Sequence, residues 1–112
     1  TASVGAASAA ARIPLPAEAM ADIEHALSID PWRADYHHLA GIVHAQNQNW
    51  SSAIEACKRS LALDPANIRA RLVLLQSYLK LGRKQEALNE YAIVLGYDPP
   101  DIESIRRWYM GQ

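Results

Sequence analysis

Four histidines, one cysteine and twelve acidic side chains are what this chain offers for metal ligation, nucleophilic attack or proton transfer. Ligation from a helix needs donors that share a face, most simply a pair four residues apart. No two of the histidines are so spaced. His37 and His38 are neighbours, which a helix points about 100° apart. His37 and His44 lie two turns apart on one face, too far to share an ion, and no thiolate or carboxylate completes a set around them. Hydrogen-bonded packing is therefore the role expected of His37 and His44, and no metal is expected. Cys57 falls on an inward helical position, where a free thiol behaves as a small hydrophobe; a nucleophile would need a neighbouring base and a lowered pKa. There is no phosphate-cradling loop, no G-x-S-x-G and no pair of carboxylates in a cleft context. No catalytic residue, no cofactor and no enzyme activity are expected.

What remains is the frame that would position a surface. Half of the residues are hydrophobic and the net charge is −1, a balance that supports a folded core and gives no clustered basic patch for nucleic acid or an acidic membrane. The length suits one compact unit or a short array. A single cysteine rules out an internal disulfide and any zinc site built on several thiolates. No run of 18 apolar residues is present, so no span is expected. Residues 1–12 lack the basic start and bulky apolar core of an intact signal peptide, which leaves the compartment unknown. Because the chain opens on Thr1, it is expected to be an excised segment or a processed product.

Along the chain, residues 1–13 are alanine-rich and read as a linker or a helix, and Ile13-Pro14-Leu15-Pro16 breaks any helix there. A helix is expected over 17–29, with Ala19, Met20, Ile23, Ala26 and Leu27 on its apolar stripe. A second, over 32–46, buries Tyr36, Leu39, Ala40, Val43 and His44, with Gly41 marking a close approach by another helix. Asn49 caps a third over 50–63, burying Ala53, Ile54, Cys57, Leu61 and Leu63. The fourth, 66–81, is apolar on more than one face and should be central. Gly82 follows it as a left-handed C′ residue. The fifth, 84–96, points Ala87, Leu88, Tyr91, Val94 and Leu95 inward. A short terminal helix carries Ile102, Ile105, Trp108 and Tyr109 on one side, with Trp108 capping the core.

One dipeptide returns through all of this: Asp30-Pro31, Asp64-Pro65 and Asp98-Pro99, each 34 residues after the last. A fixed period of that size marks stacked helical repeats. Each Asp-Pro is expected to start a helix, Asp as N-cap and Pro at the first helical position.

With this period, the residues resemble the tetratricopeptide repeat, a 34-residue helix–turn–helix unit. The framework positions fall on His37, Ala40, Gly41, His44, Ala53, Cys57, Ser60 and Pro65, and then on Arg71, Leu74, Leu75, Tyr78, Ala87, Tyr91, Val94 and Pro99. The family's Trp is missing from both, and Leu75 replaces its Gly. The resemblance implies an all-α solenoid of antiparallel hairpins in a right-handed superhelix with a C-terminal capping helix. Its units would be 1–33 as a degenerate or partial repeat, 34–67 and 68–101 as repeats, and 102–112 as the cap or the start of another.

It also implies a protein–protein interaction module whose concave groove takes a peptide or helix of a partner. The groove positions would be Asp35, His38, Ile42 and Ala45, then Arg69, Leu72, Gln76 and Leu79, then Glu103, Arg106 and Met110. The Lys and Asn clamp of chaperone-binding members is not reproduced at Ile42, Leu72 and Gln76. The alternative is a structural segment that self-associates by stacking its end helices. An RNA-reading repeat is disfavoured by the 34-residue period and near-neutral charge.

Overall fold

The computed structural model describes residues 16–112, and among them every regular element is an α-helix. They are α1 (Pro16–Ile29), α2 (Ala34–Gln46), α3 (Trp50–Leu63), α4 (Ile68–Lys80), α5 (Lys84–Gly96) and α6 (Ile102–Met110). The alanine-rich stretch 1–13, and the break expected after it, fall outside the described residues except for Pro16. Consecutive helices pack as antiparallel neighbours from α1 to α5, and α2 also lies beside α4. That second contact stacks one hairpin on the next and makes the array an α-solenoid.

The core runs through the middle of the stack. Ile54, Cys57 and Leu61 of α3 meet Ala70, Leu74, Leu75 and Tyr78 of α4 and Ala87 of α5. The leucine-rich α4, apolar on more than one face, is thus the central helix. Gly41 is where α2 and α3 come closest: a Cβ built there would stand 2.6 Å from the Cys57 sulfur. No side chain fits, so the helix bears glycine's propensity cost of about 1 kcal/mol in exchange for the close approach. Ser60, wholly buried, donates to the Ala34 carbonyl at 3.0 Å and ties the end of α3 to the start of α2.

The hairpin turns repeat with the period. Gly82 ends α4 at φ +74°, its N–H donating to the Leu79 carbonyl at 3.1 Å while Arg83 N–H reaches the Tyr78 carbonyl at 2.8 Å. These two bonds are the glycine stop anticipated from the sequence. One period earlier, Gln48 stands in the same left-handed conformation at φ 59°, with matching bonds to Ala45 and, from Asn49, to His44.

The Asp-Pro pairs, by contrast, do not start helices. The helices begin later, at Ala34, Ile68 and Ile102, and the capping positions are Arg33, Asn67 and Asp101. Asp64 instead closes α3, its N–H bonded to the Ser60 carbonyl, and its own carbonyl accepts from Asn67 N–H at 3.2 Å. Asp64-Pro65-Ala66-Asn67 is therefore a β-turn with Pro at its second position, where the fixed φ of proline is in place. An antiparallel partner helix cannot begin until the chain has reversed, and the three residues after each Asp carry out the reversal. Asn67 then caps α4, its Oδ1 accepting from Ala70 N–H at 3.2 Å. Asn49 holds the capping position of α3 without a side-chain bond.

Three leucines expected inside are exposed: Leu39, Leu63 and Leu88. Each lies at the margin of its helix stripe or in its last turn, where the solenoid presents an edge to solvent and no neighbouring element covers it. Trp108 is 37% exposed and does not cap the core. Ile105 is the buried residue of α6, and Tyr109 stacks on Tyr91 of α5 with ring centroids 3.9 Å apart. A one-sided helix can turn only one of two adjacent aromatics inward.

Candidate partner-binding groove

The first helix of each hairpin supplies the residues assigned to the groove, and α2 and α4 lie side by side. Leu72 and Gln76 stand one turn apart on α4. Together with Val73, and with Ser104, Ile105 and Trp108 of α6, they line an open, mostly apolar cavity of about 320 Å³. Trp108, displaced from the core, forms part of this wall. Leu79, one turn further along α4, packs onto the core cluster. Ile42 belongs to a different hollow, of about 350 Å³, which it shares with Ile23 of α1 and Leu39 and Val43 of α2. Three of the expected groove residues thus fall into two apolar depressions, Leu72 and Gln76 in one and Ile42 in the other. Ala45 is half-buried on α2.

Polar groups lie between and beside them. His38 Nδ1 sits 2.6 Å from the Asn67 amide nitrogen. Because Asn67 spends its oxygen on the Ala70 N–H, its NH₂ is the donor and His38 Nδ1 the acceptor. A protonated ring would turn an N–H toward that NH₂. Burial, then the nearby positive charge of Arg69, lowers the His38 pKa below its ordinary value, partly offset by Asp35. Arg69 is exposed and makes no ion pair among the described residues. Asp35 pairs loosely with Arg33 at 3.5 Å in open solvent, and Arg106 pairs with Glu103 at 3.0 Å. Such exposed pairs are worth at most about 1 kcal/mol and leave both groups available to a partner. Met110 is 77% exposed beyond them.

His37 and Cys57 are held within the packing of the helices. His37 Nε2 is 2.8 Å from the Pro31 carbonyl, the hydrogen-bonded packing expected of it. One period on, Arg71 does the same work, donating from Nε and Nη2 to the Pro65 carbonyl at 3.1 and 2.9 Å. His44 is half-buried and takes no corresponding hydrogen bond among those seen. Cys57 is completely buried, and burial pushes its thiol up to about 12, far from the thiolate a nucleophile needs. Among the described residues no three His, Cys, Asp or Glu side chains converge on a point that could hold a metal ion. No described helix is long and apolar enough to cross a membrane.

Sequence reasoning missed the contribution of Trp108 to the cavity wall and the His38–Asn67 contact. The second had a readable signal, since Asn67 is the last residue of the turn and holds the capping position of α4. Its reach to His38, however, spans 29 residues of sequence and two helices.

A family model and several known proteins match the chain. The family model described as "Anaphase-promoting complex, cyclosome, subunit 3", a tetratricopeptide-type repeat, matches residues 16–92. The human PEX5-related protein is 38% identical over 65 residues, covering 58% of this chain and 10% of that protein. Mouse sperm-associated antigen 1 is 40% identical over 52 residues, covering 46% of this chain and 6% of that protein. The chain thus spans about a tenth or less of the length of the curated relatives it matches. Repeats of this kind support protein–protein interaction as a general role and are typically not enzymes. The model match extends over well more than half of the sequence and over α1 to α5 almost entirely, and the chain belongs to the tetratricopeptide-repeat family.

Proposed function

We propose that the chain presents the face formed by α2, α4 and α6 to an extended peptide or a helix of a partner protein, with 34–67 and 68–101 as its two complete repeats. The observation that carries this reading is the apolar cavity between α4 and α6, open to solvent and walled by Leu72, Gln76 and Trp108. An apolar side chain of the partner would enter it. Gln76 would bond the partner's backbone, and Arg69, without an ion pair among the described residues, would favour a carboxylate nearby. Asp35, His38, Ile42, Ala45, Leu79 and Arg106 form the remainder of the proposed contact surface. Hot spots are a minority of any interface, so Leu72 and Trp108 are expected to dominate.

The test is a titration of a peptide selected from a displayed library against the protein and against Leu72→Glu. Loss of binding by tenfold or more supports the groove, on the scale of about 2 kcal/mol for a hot spot. Unchanged binding removes the groove assignment.

A second reading is self-assembly through the end helices. Trp108 and Met110 of α6 and Leu88 and Ile93 of α5 are exposed at that end. Sedimentation over a range of concentrations separates the two: a strict monomer disfavours stacking.

A further inference from the structure

The two hairpins fill the outer face of the solenoid differently. Between α1 and α3, over the outward side of α2, lies an open hollow of about 470 Å³. Its floor is apolar, with Ala40 and Ala56 buried and Met20 and Leu27 half-buried. His37 and His44 line its sides. One period on, the matching positions hold Arg71, Tyr78 and Glu90 in place of His37, His44 and Ala56. Tyr78 is 4% exposed there, and the Arg71 guanidinium meets Glu90 at 3.0 Å with both side chains 14% exposed. The second hairpin therefore closes with its own arginine and carboxylate the space that the first leaves open.

At the rim of the hollow stand two exposed carboxylates, Glu24 of α1 and Glu55 of α3. Glu24 has no ion pair or hydrogen bond among the described residues. Glu55 makes no ion pair or hydrogen bond among the described residues, and the nearby Arg83 guanidinium is held by Glu86 at 2.7 and 2.6 Å. Among the described residues Arg59 is the one cation of the lining, and it also borders the neighbouring cavity beside Trp32. Two carboxylates against one guanidinium leave the mouth negative, above a floor suited to an aliphatic stem.

We propose that this hollow is a second binding site, on the face opposite the α4–α6 cavity, for an arginine side chain of a partner protein. The stem would lie on Ala40, Ala56 and Met20, and the guanidinium would reach Glu24 and Glu55, as Arg71 lies in the next hairpin and reaches Glu90. Arginine suits the place better than lysine because its planar fork can bond two carboxylates at once while its weaker hydration eases burial of the stem.

The experiment titrates the protein with an acetylated, amidated Ala-Arg-Ala peptide and, separately, with its citrulline counterpart, which keeps the shape and removes the charge. NMR shifts are followed at Ala40, His44 and Ala56, up to a concentration on the order of 10 mM, the range expected of a single side-chain site. The arginine peptide should move those signals saturably and the citrulline peptide should not. Glu24→Gln and Glu55→Gln, both exposed and safe for folding, should each weaken binding by about two- to fivefold, and Arg59→Gln should strengthen it by a similar factor. His44→Tyr, which restores the residue of the second hairpin, should abolish it. Leu72→Glu should leave it unchanged, which separates this site from the groove.

Equal binding of the citrulline peptide overturns the proposal. So do insensitivity to both glutamate variants, the absence of shifts in the hollow, and shifts confined to Leu72 and Gln76. An arginine of a second copy is the rival occupant: self-association lost in Arg107→Gln would replace the partner protein by this chain itself.

Discussion

The hairpins α2–α3 and α4–α5 share a period, a fold and almost no solution to the problem of filling it. In the first, the helices are drawn together by small groups: Gly41 faces Cys57, and Ala53 and Ala56 are buried beside them. In the second, Leu75 replaces Gly41 and is wholly buried, while Tyr91 replaces Cys57 and turns to stack on Tyr109. The outer face follows suit, open over His37 and His44 and closed over Arg71, Tyr78 and Glu90. A repeat thus constrains where helices begin and reverse more tightly than what lies between them. The interior can be sealed by close approach or by bulk, and the choice decides which face has room for something else.

The largest effect should come from forcing the first hairpin to adopt the second's solution. Gly41→Leu drives side-chain atoms into the Cys57 sulfur, 2.6 Å from the first of them, at a buried seam between α2 and α3. Overpacking of this kind costs about 3 kcal/mol or more. Thermal or urea unfolding should show it, and a variant as stable as the parent would mean that the two hairpins are interchangeable after all.

Next is the Arg71–Glu90 pair, mostly buried and tied to the Pro65 carbonyl. Glu90→Gln leaves a largely buried guanidinium without its anion. It should cost about 2 kcal/mol in the same unfolding measurement, on the scale of hydrogen bonds to charged groups. The first hairpin offers a built-in control: Ala56→Ser, at the matching position, has no cation to lose and should cost less.

The turns differ by one residue in the same conformation. Gln48→Gly installs the residue already found at Gly82, relieving a left-handed cost of about 1 kcal/mol, and should raise the unfolding midpoint. A fall would show that the side chain of Gln48 contributes more than its backbone loses.

The smallest effect concerns His38. Its pKa is lowered in the fold, so its neutral form contributes stability that is present above the ordinary value of 6.5 and lost as the pH falls below it. Asn67→Asp keeps the cap but presents an acceptor to the ring, and the His38 pKa should rise. An NMR titration of the imidazole reads this directly, and an unmoved pKa would separate His38 from Asn67.

Much of this was legible in the sequence. The boundaries of α3 and α5, the stop at Gly82, the tight spot at Gly41 and the burial of Cys57 all follow from side-chain size, backbone freedom and a stripe of three and four. These are local properties, and the period multiplies the evidence for each. The Asp-Pro pairs misled because Asp before Pro suits a turn as well as a cap. The arbiter is how many residues a chain needs to reverse direction, which is a property of two helices together. Trp108 and Leu88 were misplaced for a related reason: a stripe on a terminal or edge helix says which side is apolar, not whether anything lies against it.

The sequence alone determined an all-helical array with a 34-residue repeat, because helical periodicity, glycine and proline act on the backbone within a few residues of themselves. It also excluded a thiolate-rich metal site by counting. Only the tertiary structure decided that Ile42 and Leu72 line separate depressions, that Trp108 walls one of them, and that the outer face is hollow in one hairpin and filled in the next. Those outcomes depend on the sum of side-chain volumes brought together from different helices, and no position carries that sum by itself.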